Sequence, residues 1–180
     1  MRDDAPPPPA DDGALGPEAD HEAVARKILL DQLTGRARSR SELAAKLAKK
    51  HVPDDVAGRL LDRFEEIGLV DDAAFARDWV QSRHVGRGLA RRALAAELRR
   101  KGVDAGVVSE AVEAVDPDDE VESARQLVRR KLPSLERFDS VTRVRRLTGM
   151  LARKGYPSGV AFSVVREEIA EAAALLDAAE

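Results

Sequence analysis

The sequence contains no cysteine. That excludes disulfide staples, thiolate metal sites and cysteine nucleophiles, and it suits a reducing compartment. Aromatic residues are only 3% of the chain, so a core has to be built from Leu, Val and Ala. Such cores suit thin, close-packed helices better than one large globule. The three histidines, His21, His51 and His84, are scattered, which argues against a convergent metal site. No apolar run approaches the roughly 18 residues of a membrane span. No basic segment leads into an apolar one at the N-terminus, so no secretion signal is expected. Phosphate-loop and H-E-x-x-H patterns are missing, and Gly86-Arg87-Gly88 is too short for a dinucleotide loop. Acidic pairs such as Asp71-Asp72, Asp118-Asp119 and Glu167-Glu168 fall at helix starts or on a terminal helix, where capping and solvation account for them. These absences predict a cytoplasmic protein with no catalytic residue, no metal and no cofactor.

What is abundant is charge, at 35% of residues. The net charge of −3 hides a pattern. Residues 1–20 carry −5 and include Pro6 to Pro9, Gly13, Gly16 and Pro17; they read as a disordered acidic tail. The rest of the chain is +2. Arg83 to Gly102 holds seven basic residues against Glu97 alone, and Arg125 to Lys154 holds ten against Glu136 and Asp139.

Beyond the tail the apolar spacing is helical throughout, with no convincing strand. Ser39-Arg40-Ser41-Glu42 has the form of a capping box, Pro53 fits a first helical turn, Gly68 a C-terminal cap, and Asp71 an N-cap. The chain also repeats itself. Leu47-Ala48-Lys49-Lys50-His51-Val52 matches Leu98-Arg99-Arg100-Lys101-Gly102-Val103 at an offset of 51, and that matches Leu151-Ala152-Arg153-Lys154-Gly155-Tyr156 at 53. Leu43, Leu94 and Leu147 keep this register, as do Leu60, Ala111 and Val164. Upstream, Ala25, Ala76 and Ala124 match, the last at an offset of 48. The third repeat therefore holds about five extra residues, expected as a loop around Pro133 to Asp139. Each repeat reads as helix, loop, helix, tight turn, helix. Gly102 and Gly155 supply a left-handed residue at the turn, and His51 takes that place in the first repeat. The predicted fold is all-α: three tandem three-helix repeats (21–70, 71–116 and 117–180, the last with a C-terminal helix) in an elongated curved rod, behind the tail 1–20.

The candidate binding residues are basic. On a helix running from Gly88 to Lys101, Leu94 and Leu98 mark the buried side, while Arg92 and Arg99 point away with Arg100 beside them. On a helix from about Asp139 to Lys154, Val144 and Leu151 mark the buried side, while Arg146 and Arg153 point away with Arg145 nearby. The first repeat offers Lys46, Lys49 and Lys50. Lys101, Arg153 and Lys154 lie near helix C-termini, where they complement the dipole. Arg91, Arg92, Arg143 and Arg145 lie in first turns, where positive charge is unfavourable, so an external anion is expected to compensate them. Arg83 and Arg87 extend the basic stretch. Aromatics are not interleaved with these residues, so base stacking is not expected. Trp79, Tyr156 and Phe162 are assigned to the core.

Gly68-Leu69-Val70-Asp71-Asp72-Ala73-Ala74-Phe75-Ala76, followed by Val80, Arg83, Gly86, Gly88 and then Ala96-Glu97-Leu98-Arg99-Arg100-Lys101-Gly102-Val103, resembles the RecX regulatory proteins of bacteria over about residues 22–170. The resemblance implies tandem three-helix repeats and a non-enzymatic protein. It implies binding in the groove of the RecA recombinase filament on DNA, with inhibition of strand exchange, ATP hydrolysis and repressor cleavage. It supplies no site residues; those come from the charged faces. The competing reading is a direct DNA-binding protein acting through its basic helices. A monomer is expected, with no membrane partner.

Overall fold

A computed structural model describes residues 17–178. They form nine α-helices and one short 3-10 helix, and no strand occurs among them. Helices α1 (Pro17–Gly35), α2 (Arg40–Ala48) and α3 (Asp54–Glu66) make unit one. Helices α4 (Asp72–Arg87), α5 (Arg91–Arg100) and α6 (Ala105–Glu113) make unit two. Unit three contains α7 (Pro117–Lys131), the 3-10 turn Leu132–Leu135, α8 (Ser140–Arg153) and α9 (Ser158–Asp177). Helix α1 begins inside the segment expected to be tail, because Pro17 opens it, a residue whose fixed φ suits a first helical turn. Residues 1–16, and with them the Pro run, lie outside the described residues.

Local chemistry sets the helix ends. Ser39 accepts the Glu42 N–H while the Glu42 carboxylate accepts the Ser39 N–H, completing the capping box. Asp71 accepts from Ala74 N at 2.8 Å, and Asp104, Asp116 and Asp139 cap α6, α7 and α8 in the same manner. Gly88 terminates α4 at φ 60°, so α5 starts at Arg91 rather than at Gly88 as the spacing suggested.

The repeat register survives in the packing. Each unit has its own core, and equivalent positions fill it. Leu43, Leu94 and Leu147 are all fully buried, as are Leu47, Leu98 and Leu151. Ala25, Ala76 and Ala124 are also buried to completion, where small side chains let the first helix approach closely. The turn after the second helix is left-handed in every unit: φ is 57° at His51, 73° at Gly102 and 92° at Gly155. The insertion of unit three is the 3-10 turn Leu132–Leu135 followed by the expected loop, at residues 136–139. Its Leu135 is buried in the third core, so apolar burial orders the insertion.

Two equivalent joints hold the units in a row. At the first, the N-terminus of α2 sits on the turn that ends α5. Ser39 Oγ donates to Lys101 O at 2.6 Å, and Lys101 Nζ donates to Glu42 at 2.8 Å. Arg40 N donates to Asp72 at 2.8 Å. At the second, the N-terminus of α5 sits on the turn that ends α8. Ala90 N donates to Lys154 O at 2.9 Å, Tyr156 OH to Gly88 O at 3.2 Å, and Arg91 N to Glu120 at 2.7 Å. Among the described residues no hydrogen bond or ion pair joins unit one to unit three. The second helices of units one and two thus present their positive ends to the electronegative carbonyl end of the next unit's second helix.

The first joint is sensitive to acid. Burial pushes the Glu42 carboxyl up, but the Lys101 bond, the Ser39 N–H and the charges of Lys101 and Arg36 outweigh it, and the group titrates below the usual carboxylate range. A carboxylate depressed in the folded state stabilises it above the ordinary value of 4.5 and loses that contribution as pH falls through the folded value. The thermal midpoint of wild type should therefore drop toward that of Glu42→Gln between about pH 6 and about pH 3. A constant gap between the two melting curves over that range would rule out this role.

Candidate interaction surface

The structure sorts the candidate basic residues into two groups. The first group is taken up inside the molecule. Arg91 is half-buried and its guanidinium reaches Glu120 at 3.2 Å. Its charge at a helix start is therefore balanced by the next unit, not by an external anion as its position suggested. Lys101 lies in the first joint, on Glu42 and 4.2 Å from the Trp79 ring centroid. Arg83 covers the same ring at 4.3 Å and lies 3.8 Å from Glu97. The indole itself donates to Glu97 at 2.9 Å, so half-buried Trp79 belongs to the edge of the second core and to the joint. Lys154 donates to the Arg87 carbonyl; burial pushes its ammonium below the usual lysine range, and Arg130 and Arg87 push the same way. Arg143 is half-buried, with a buried Nε that has no partner among the described residues.

The second group is exposed and pairs with no described carboxylate: Arg87, Arg92, Arg99, Arg100, Arg145 and Arg153. Arg146 is also exposed and lies over the Phe138 ring at 3.9 Å. The repeat register aligns these residues differently from the seven-residue spacing on single helices. Offsets of 51 and 53 superpose Lys49, Arg100 and Arg153, and they superpose Arg92 on Arg145. Arg99 and Arg146 have Ala48, Ala152 and Ala93 as counterparts and stand outside those rows. The two joints share one bond at equivalent positions, Arg40 N to Asp72 and Arg91 N to Glu120, and each seats the start of a second helix on the following unit's turn. Lys49, Arg100 and Arg153 are exposed cations at the same register position of the three units.

Two aromatic assignments part company. Tyr156 is buried, at the second joint, and burial raises its phenol above the usual range while a bond to Ser123 opposes it. Phe162 is 49% exposed. It stands on α9 beside a shallow trough whose lining includes Arg145, Gly149 and Ala152. Spacing along α9 could not reveal this, because the side of α9 that bears Phe162 is left open by α8 rather than covered.

Nothing among the described residues forms a group of three potential metal ligands, and no helix is long and apolar enough to cross a membrane. The chain matches the family models of all three RecX three-helix domains: the first at residues 25–64, the second at 71–112 and the third at 118–165. It is 53% identical over 157 residues to the regulatory protein RecX of Thermobifida fusca, covering 87% of this chain and 84% of that one. It is 52% identical over 155 residues to the regulatory protein RecX of Streptomyces coelicolor, covering 86% and 82%. Its fold matches the crystal structure of RecX from Lactobacillus salivarius with a TM-score of 0.76 at 17% identity, over 83% of this chain and 97% of that one. The repeat, the joints and these matches together place the chain in the RecX family of regulatory proteins.

Proposed function

We propose that this protein binds the RecA recombinase filament on DNA, as a cytoplasmic monomer, and restrains its strand exchange, ATP hydrolysis and coprotease activities. The observation that carries this reading is the set Lys49, Arg100 and Arg153: one exposed cation per unit, in one register, with no ion pair among the described residues. A filament is a long periodic polyanionic surface, and a row of units can touch several of its repeats at once. Weak contacts from separate units then combine, because the second and third form at high effective concentration. No catalytic group is required. The relatives compared above are named regulatory proteins, which supports a protein that acts by occupying a surface.

The test is a single variant with Lys49, Arg92, Arg100 and Arg153 all changed to Glu. These residues are exposed and make no described ion pair, so the fold and helicity should hold, with melting lowered only by the lost helix-dipole contributions of about 0.3–1 kcal/mol each at Lys49, Arg100 and Arg153. Potency against DNA-dependent ATP hydrolysis by the recombinase should fall by at least about tenfold, since several contacts are lost together. Co-sedimentation with filaments should fall in parallel. Wild-type potency in a folded variant would remove these cations from the mechanism.

A further inference from the structure

The joints leave one receiving face uncovered. In units one and two, the start of the second helix is covered by the turn of the following unit. A Cβ on Gly102 would lie 2.2 Å from Ser41 Oγ, and one on Gly155 would lie 2.6 Å from Ala93 N. The positions of Ser41 and Glu42 correspond to Arg92 and Ala93 in unit two, and to Arg145 and Arg146 in unit three. On α8 no turn among the described residues covers them, and both arginines are exposed. The vacant joint is therefore cationic, where its counterpart on α2 offers a carboxylate to a lysine.

It is also concave. The 3-10 turn particular to unit three stands beside α8, bounding an open groove of about 420 Å³ lined by Lys131, Leu135, Arg145, Arg146, Gly149, Met150 and Arg153. Among the described residues four cations and no carboxylate line it. In unit two the counterpart of Met150 is Glu97, held by Trp79, so the same site there contains an acid. Arg145 and Arg153 are eight residues apart, which is about 12 Å along a helix. That span suits successive phosphates of a strand better than one small anion. Arg145 and Gly149 also line the adjoining trough, of about 600 Å³, that carries exposed Phe162. Cations for a backbone thus lie directly beside an aromatic face and an apolar floor. An acidic peptide would use the cations but has no need of the ring.

We propose that unit three carries a binding site for a single strand of nucleic acid, with phosphates on Lys131, Arg145, Arg146 and Arg153 and a base stacked on Phe162. Duplex would occupy only the cationic half, because its bases are already stacked. The site lies at the end of the row read above as filament-facing, but it does not depend on that reading, and its test contains no recombinase.

The experiment is fluorescence anisotropy of the full chain with a labelled oligo-deoxythymidine of about 20 nucleotides, titrated at several salt concentrations. Each phosphate contact contributes about 0.7 to the slope of log affinity against log salt for a single strand. Arg145→Gln with Arg153→Gln should therefore lower that slope by about 1.4. Arg59→Gln with Arg63→Gln on α3, an equal loss of charge elsewhere, should leave it unchanged. Phe162→Ala should weaken single-strand binding at least about fivefold with no change of slope, and leave duplex binding alone. An unchanged slope in the Arg145/Arg153 variant would overturn the site. A Phe162→Ala variant that binds single strand as wild type does would overturn the stacking platform and the single-strand preference. If filament inhibition failed in the Lys49/Arg92/Arg100/Arg153 variant while these results held, the proposed function would fall and this site would stand.

Discussion

Gly155→Ala is expected to destabilise the protein by about 3 kcal/mol, against about 1 kcal/mol for Gly68→Ala. Both residues are left-handed, at φ 92° and 72°. Any L-residue side chain meets its own carbonyl there, which accounts for about 1–2 kcal/mol. Around Gly68 there is nothing else within 4 Å. At Gly155 the new methyl would also lie 2.6 Å from the backbone nitrogen of Ala93 and 2.7 Å from its Cβ. Backbone cannot swing aside as a flexible side chain can, so the second joint has to open or the turn has to shift, at a further cost of about 1–3 kcal/mol. Opening it endangers the neighbouring bonds from Ala90 N to Lys154 O and from Tyr156 OH to Gly88 O. Urea denaturation followed by far-ultraviolet circular dichroism measures both variants. Equal losses would mean that the joint is loose at this point and that only backbone conformation matters.

A loss of about 2–5 kcal/mol is expected from Leu98→Ala, with all three units failing together. Leu98 is fully buried, and truncating it removes transfer energy and leaves a cavity in the second core. Among the described residues, its unit is the one joined on both sides. Lys101, three residues on, anchors unit one through Glu42 and Ser39, while Gly88 and Ala90 hold unit three. In a row of units, stability is a sum of unit terms and neighbour terms, so weakening the middle removes two neighbour terms at once. Trp79 reports on unit two directly, since its indole is bound to Glu97 and packed between Arg83 and Lys101. Its fluorescence and the overall helicity should shift to the same lower midpoint. Loss of the fluorescence transition ahead of most of the helicity would show three independent units instead.

The contacts at Gly102 and Gly155 also explain a residue that the repeat pattern left odd. His51 occupies the turn position held by glycine in the other two units, at a left-handed φ of 57°. Backbone conformation alone would favour glycine in all three. The difference is that Gly102 and Gly155 each receive the N-terminus of the preceding unit's second helix, whereas His51 is exposed and receives nothing described. Glycine serves two needs at the joints, conformation and close approach. At His51 only the first remains, and histidine tolerates it at a modest energetic cost.

The amino-acid sequence by itself determined the helices, their caps, the register of the repeat and nearly every core position. These follow from short-range rules: apolar residues at helical spacing, Asp or Ser before a helix, a left-handed residue after it. It also marked where the insertion in unit three lies, though not that Leu135 would fold it into the core. Tertiary structure decided which positive charges are free. Arg91 and Arg92 are neighbours in the same first turn, yet one is bound to Glu120 across a joint and the other faces solvent. Lys101 and Arg100 divide in the same way. Spacing along one helix states which side a residue takes, but the partner that neutralises it comes from a unit about 30 to 60 residues away, and only docking brings the two together.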